Sequence, residues 1–173
     1  MSVHFSSKTN EWTTPQSFFD RINQEFGFTL DPCSDGENAK CQKYYTPNND
    51  GLKQDWSKDT VFMNPPYGRD IKFWVEKAYK ESLKGATVVC LIPARTDTTY
   101  WHDYIFGKAS EIRFIKGRLK FGGSKNSAPF PSALVVFLEV KQTQQKSEPI
   151  QIYKGVHKTF CENKNGGRVR WKI

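Results

Sequence analysis

Cysteine is sparse in this chain and nowhere paired. Cys33, Cys41, Cys90 and Cys161 form no Cys-x-x-Cys motif, and no histidine stands beside them at metal-ligand spacing. Cys33 and Cys41 could in principle share a metal, but free thiols are the simpler reading and no metal is expected. Long apolar runs are also missing. The longest, residues 86–93, is broken by Thr87 and is far too short to span a bilayer. The opening residues, Met1-Ser-Val-His-Phe-Ser-Ser-Lys, contain no apolar stretch of the kind that directs secretion, so a cytoplasmic protein is expected. There is no internal repeat and no coiled-coil heptad. Acidic charge is in deficit: 18 Asp and Glu against 26 Lys and Arg leave a net charge of +8 over 173 residues. An excess of this sign favours a polyanionic partner without specifying one.

What the chain does contain is centred on Thr60-Val-Phe-Met-Asn64-Pro65-Pro66-Tyr67-Gly68. Val61, Phe62 and Met63 read as a buried strand. Asn64 stands at its end, and two prolines stop the ladder and fix the backbone direction. Tyr67 adds a flat ring, and Gly68 lets the chain turn away. A planar substrate carrying an amino group could stack on Tyr67 while its N–H groups meet Asn64 Oδ1 and the Pro65 carbonyl. The carboxyl ends of strands are where open α/β sheets bind ligands.

Upstream, Thr14 as N-cap and Pro15 at the first helical position predict a helix with Phe18, Phe19, Ile22 and Phe26 on one face, ended by Gly27. Residues 28–33 read as a short strand ending in Asp31-Pro32-Cys33, and residues 42–46 as a second. Residues 47–51, Pro-Asn-Asn-Asp-Gly, are a turn signal. Only about thirty residues separate Asp31 from Asn64, so any crossover units between them must be abbreviated. Downstream, residues 70–83 predict a helix with Ile71, Trp74, Val75, Ala78, Tyr79 and Leu83 facing inward. Residues 86–93 follow as a buried strand, which makes a βαβ crossover and a parallel sheet. After it, Arg95, Asp97, Trp101 and His102 either line a cleft, or Thr98 caps a helix that runs to Phe106 with Trp101 and Ile105 facing the core.

Residues 111–115 and 132–140 read as further strands. The loop between them carries Arg118, Lys120, Phe121 and Phe130, a composition suited to nucleic acid, with Phe121 or Phe130 placed to stack on a base opposite Tyr67. From Lys141 a polar linker leads to a strand-periodic tail. Eight Lys or Arg against two Glu there account for six of the eight net positive charges. Arg168 and Arg170 share one strand face, as a basic hairpin tracking phosphates would require. The expected organisation is therefore residues 1–140 as the main domain and 141–173 as linker and basic hairpin.

Several blocks together resemble the phage-type DNA N6-adenine methyltransferase family. They are Trp12-Thr-Thr-Pro15, residues 28–33, residues 52–56, Asn64-Pro-Pro-Tyr-Gly68, Pro93-Ala-Arg-Thr-Asp97, residues 117–122 and Pro129-Phe-Pro-Ser132. The resemblance spans roughly residues 11–139 and leaves the tail uncovered. It implies an α/β fold with an abbreviated Rossmann-like methyltransferase sheet, S-adenosylmethionine as methyl donor, and adenine in DNA as acceptor. It also implies a phage or prophage origin and action in a bacterial cytoplasm. Asn64, Pro65, Pro66 and Tyr67 are then catalytic. Thr14 and Pro15 lie against the methionine end of the cofactor, Asp31, Pro32 and Cys33 form the cofactor loop, Asp31 accepts from the cofactor's ammonium group, and Asn64 also borders the cofactor. Asp50 is the candidate for the ribose hydroxyls, and Asp55 and Trp56 for the adenine. Arg95, Arg118, Lys120, Phe121, Phe130, Arg168 and Arg170 would face the nucleic acid. The glycine pattern usual after the first strand is missing, since Ser34-Asp-Gly-Glu-Asn-Ala39 holds one glycine. Two rivals stay open on sequence alone: a methyltransferase acting on another amino group, in RNA or protein, and a non-catalytic DNA-binding anti-restriction protein that keeps the fold. The motif does not report oligomeric state.

Overall fold

The computed structural model describes residues 12–123 and 126–138, all within the unit Met1–Lys141. The expected linker and basic hairpin, residues 141–173 with Arg168 and Arg170, lie outside the described residues. Six strands form one sheet: β1 (Leu30–Asp31), β2 (Lys43–Tyr44), β3 (Thr60–Met63), β4 (Thr87–Pro93), β5 (Glu111–Phe114) and β6 (Ser132–Phe137), in the order β2-β1-β3-β4-β6-β5. The first four pair in parallel, and β6 runs antiparallel to both β4 and β5. Residues 88–93 of β4 and every residue of β6 are buried, as expected of central strands covered on both faces. This is a mixed α/β sheet of Rossmann-like methyltransferase type. Among the described residues no helix is long and apolar enough to cross a membrane.

The strand order places the site. From β1 the chain moves to one side of the sheet, to β2; from β3 it moves to the other, to β4. The carboxyl ends of β1 and β3 therefore border a crevice at the reversal point, where such sheets bind ligands. Asp31 closes β1 and Asn64 follows β3 at that crevice.

Helix α1 (Gln16–Phe26) buries Phe18, Phe19 and Ile22 and ends at Gly27, whose φ of 65° lets its N–H reach Asn23 O at 2.8 Å. Its start differs from the expectation. Pro15 is the N-cap, and Thr14 makes no capping bond because its hydroxyl is used elsewhere. Helix α2 (Ile71–Ser82) buries Ile71, Val75 and Ala78 as expected, but Leu83 lies beyond the last turn and is 55% exposed. In its place α2 buries Glu81, whose carboxylate receives Lys77 and Lys84 at 2.7 Å each and the backbone N–H of Trp56 at 2.9 Å. Trp56 is fully buried, donates from Nε1 to Gly51 O at 3.0 Å, and stacks on Trp74. A side chain on Gly51 would put its Cβ 2.3 Å from the Pro32 carbonyl, so only glycine lets the two loops meet. After β4 the chain makes a π-helical turn, Trp101–Ile105, with both end residues buried; Thr98 bonds back to Arg95 O.

Candidate active site

The Asn64 side chain is held from three directions. Its Nδ2 donates to the carbonyl of Trp12 at 2.5 Å and to Thr14 Oγ1 at 3.0 Å; its Oδ1 accepts from the Tyr67 hydroxyl at 2.8 Å. Two acceptors on the nitrogen side fix which end of the amide is oxygen. That oxygen keeps a second lone pair. The Pro65 carbonyl receives no donor among the described residues. Two acceptors, one amide and one carbonyl, thus stand together at the end of β3.

Tyr67 is buried, and its hydroxyl also lies 3.1 Å from Leu91 O. Burial pushes its phenol well above the ordinary value, so it remains a donor. Its ring sits in a four-membered aromatic cluster. Trp12 stacks on it with centroids 6.4 Å apart, while Phe121 and Phe130 meet it edge-on at 6.1 and 5.5 Å. Phe121 and Phe130 were expected as open stacking platforms. They are instead 2% and 4% exposed and pack the loop between β5 and β6 onto the segment before α1, where Gly122 N–H also donates to Thr13 O. Trp12, inclined 26° to Tyr67, is the ring stacked on it, and sequence reasoning did not single it out for that place.

A narrow cavity of about 40 Å³ opens beside Asn64, lined by Trp12, Thr14, Asp31, Cys33, Asn64 and Pro65 among others. Four of the expected cofactor residues therefore come together: Thr14, Asp31, Cys33 and Asn64. Asp31 is 5% exposed. It accepts from Cys33 N–H at 3.1 Å and Lys40 N–H at 3.0 Å, yet forms no ion pair among the described residues. Burial outweighs these bonds and raises its pKa above the ordinary 3.8. Burial likewise pushes the Cys33 thiol well up, so it stays protonated and is no nucleophile. The missing glycine pattern has a physical substitute. Asp35 accepts from the N–H groups of Glu37 and Asn38 at 2.9 Å, Asn38 accepts from Asp35 N–H and the Ser34 hydroxyl, and the one glycine, Gly36, takes a φ of 100°. Side-chain hydrogen bonds fold this loop where glycines would otherwise do so.

A second chamber of about 170 Å³ shares Cys33 and Pro66 with the first and adds Pro32, Thr46, Asp50 and Trp74. Asp50 is held in the left-handed region, with φ 53°, by its own bond to Leu52 N–H and by Lys53 at 2.9 Å. The two residues expected at the adenine, Asp55 and Trp56, are not here. Asp55 is exposed, caps Ser57, and lines neither chamber. Trp56 is core, and the tryptophan that reaches the chamber wall is Trp74, one ring further out. Pro15 lies outside both linings.

On the far side of Tyr67, an open cleft of about 230 Å³ is lined by Tyr67, Arg69, Lys72, Arg95, Thr99 and Tyr100 among others. Arg95 was expected at the nucleic acid; Arg69 and Lys72 were not singled out. Arg118 is exposed, with Nη1 3.4 Å from Ala128 O, and Lys120 is exposed near it. Of the alternatives after β4, the geometry divides them: Arg95 lines the cleft, whereas Trp101 is core.

An oriented Asn-Pro-Pro-Tyr turn at the reversal point of a Rossmann-like sheet, with a buried acid across the crevice, defines an amino-methyltransferase. Comparison with known proteins narrows the class. Residues 2–164 match the family model DNA N-6-adenine-methyltransferase (Dam), and the chain belongs to that family. It is similar to the DNA N-6-adenine-methyltransferase of Haemophilus phage HP1, 31% identical over 134 residues, covering 73% of this chain and 77% of the relative. It is also similar to the DNA N-6-adenine-methyltransferase of Escherichia phage T1, 32% identical over 110 residues, covering 62% of this chain and 45% of that one. The chain is accordingly a DNA adenine N6-methyltransferase.

Proposed function

We propose that the chain takes the methyl group of S-adenosylmethionine and places it on the exocyclic amine of an adenine extruded from duplex DNA, in the cytoplasm of a bacterial host. The observation that carries this reading is the Asn64 amide, locked by Trp12 and Thr14 with its oxygen beside the free Pro65 carbonyl.

The cavity chemistry fits the cofactor. An amino-acid end carries one ammonium and one carboxylate. The inner cavity offers a buried acid that forms no ion pair among the described residues, Asp31, and a buried indole N–H, Trp12 Nε1, without a partner among the described residues. Asp31 would hold the ammonium through a charge-assisted bond. Asp50 and Trp74 in the second chamber would hold the ribose and the adenine of the cofactor. When bound, S-adenosylmethionine supplies a methyl group on a positively charged sulfur.

The remaining work falls to the chain's own residues. The adenine amine is a weak nucleophile because its lone pair is delocalised into the ring. Asn64 Oδ1 and the Pro65 carbonyl, each accepting one N–H, favour a tetrahedral nitrogen whose lone pair points away from them, toward the methyl group. They also stabilise the positive charge that the nitrogen gains before it releases one proton. This is orientation and electrostatic preorganisation. An adenine within the duplex cannot reach these acceptors, so the base must leave the stack. Seating it against Tyr67 requires the Trp12, Phe121 and Phe130 cluster to part. Arg95, Arg118 and Lys120 are proposed to meet the DNA backbone.

Transfer of a labelled methyl group to DNA, RNA and protein tests the reading. Label should enter DNA as N6-methyladenine. Asn64→Ala should lower transfer by about 10²- to 10³-fold while calorimetric binding of S-adenosylmethionine persists. Near-native transfer by that variant would remove Asn64 from the mechanism.

A further inference from the structure

The cleft beyond Tyr67 has features the methyl-transfer step does not use. It is bounded by the ends of β3 and β4, through residues 67–72 and 93–100. Three cations line it, Arg69, Lys72 and Arg95, all exposed, and no acid is in its wall. None of the three forms an ion pair among the described residues, although most other lysines and arginines of α2 and β5 do. Lys72 rests over the Phe73 ring at 4.8 Å, which leaves its charge available. Thr98 and Thr99 add hydroxyl groups to the same wall. The first residues of α2, Ile71 and Lys72, also line the cleft. That helix is preceded by Asp70, whose side chain makes no capping bond and is not in the cleft wall, so the cleft's charge comes from its three cations. Three cations and two hydroxyls around a cleft whose wall holds no carboxylate suit an anionic oxygen group.

We propose that this cleft is a phosphate clamp, holding the DNA phosphodiester next to the extruded adenine through Arg69, Arg95 and Lys72. The inference rests on DNA as the substrate and goes beyond it by separating two jobs on the two sides of one loop. The Asn64 side binds the base, and the Arg69 side grips the strand from which the base has been drawn. Gly68 lies between them, so the clamp and the catalytic amide are only a few residues apart, and a seated phosphate fixes how far the base can reach. A contact of this kind carries no sequence information and acts through charge.

The test uses the full chain with saturating S-adenosylmethionine and a duplex containing a site mapped by methylation-sensitive sequencing. Arg69→Gln and Arg95→Gln should each weaken DNA binding equally across different sequences. Each should lower the slope of log affinity against log salt by roughly 0.7–0.9. Arg69→Lys and Arg95→Lys should restore the slope, which a merely structural role would not predict. Calorimetric binding of S-adenosylmethionine reports on the fold in every variant. Replacing single phosphates with neutral methylphosphonates should weaken the native protein at one position beside the target adenine, and the loss there should be smaller in Arg95→Gln. An unchanged salt slope, a changed sequence preference, or additive losses in the phosphate scan would overturn the clamp. Absence of DNA binding by the native chain would overturn the clamp together with the reading of the substrate.

Discussion

Two buried carboxylates, Asp31 and Glu81, are treated in opposite ways. Glu81 on α2 is fully enclosed, yet two lysines and a backbone N–H meet it. Those bonds outweigh the effect of burial and hold its pKa below the ordinary 4.5. Asp31 at the end of β1 is nearly as enclosed and receives only backbone N–H groups, so burial wins and its pKa is raised. Glu81 joins Trp56 and α2 into the scaffold, and its cations come from α2 and the turn that follows it. Asp31 has no ion-pair partner among the described residues: the nearby Lys40 ammonium is bonded to Gln16, and its pull on the carboxylate is smaller than the effect of burial. A buried acid left in that condition costs stability unless something positive arrives from outside. The contrast separates the part of the molecule built to stand alone from the part built to receive a ligand.

The strongest way to break the contrast is at the scaffold acid. Glu81→Ala leaves the Trp56 N–H buried without an acceptor and should cost roughly 3 kcal/mol, a fall in melting temperature of about 10 °C. Below the melting point the variant should bind S-adenosylmethionine as the native chain does. A melting temperature within a degree or two of native would show that Glu81 is not structural. The reverse pattern belongs to Asp31→Asn. Cofactor affinity measured by calorimetry should fall by about 10- to 100-fold, the worth of one hydrogen bond to a charged group, with a smaller change in melting temperature than Glu81→Ala produces. Undiminished affinity would mean that the ammonium binds elsewhere.

The smallest effect is in titration. Asp31 has its folded pKa above the unfolded value, so the folded state holds that proton more tightly. Its contribution to stability is best at low pH and declines as pH rises through the window above 3.8. Glu81, with a lowered folded pKa, contributes stability above 4.5 that is lost as pH falls through its folded value. Carboxyl-resolved NMR should therefore show the usual order of aspartate below glutamate narrowed or reversed for this pair. Saturating cofactor should move Asp31 back down, and the cofactor's gain in melting temperature should shrink as pH falls through the raised Asp31 value. An Asp31 resonance that ignores the cofactor would contradict the assignment.

Much of this was legible in the residues because it is local. Val61-Phe-Met63 followed by Asn64-Pro-Pro-Tyr67 carries a strand, its stop and its acceptor in one stretch. The stop of α1 at Gly27 and the crossover from β3 through α2 to β4 follow from periodicity and turn chemistry. What the sequence hides is long-range. Thr14 looks like a helix cap but serves Asn64, a choice set by packing between positions 50 residues apart. Phe121 and Phe130 sit in a loop with the composition of an open surface, yet they are closed over Tyr67 because Trp12 offers them a partner. Trp56 and Trp74 are equally aromatic, and only the depth of each in the stack decides which one reaches the cavity wall. The glycine-poor loop after β1 departs from the family pattern, and its side-chain bonds can be seen only once Asp35 and Asn38 face each other.

The grip of Trp12 and Thr14 on Asn64 joins two stretches of chain about 50 residues apart. Two hydrogen bonds hold this junction, against the continuous ladders of the six-stranded sheet, so it can open locally at a smaller free-energy cost. Catalytic competence is therefore tied to the seating of a short peptide strap and not to the integrity of the sheet. Gentle warming or a nick near the strap would silence the enzyme while the strands beneath it stayed paired.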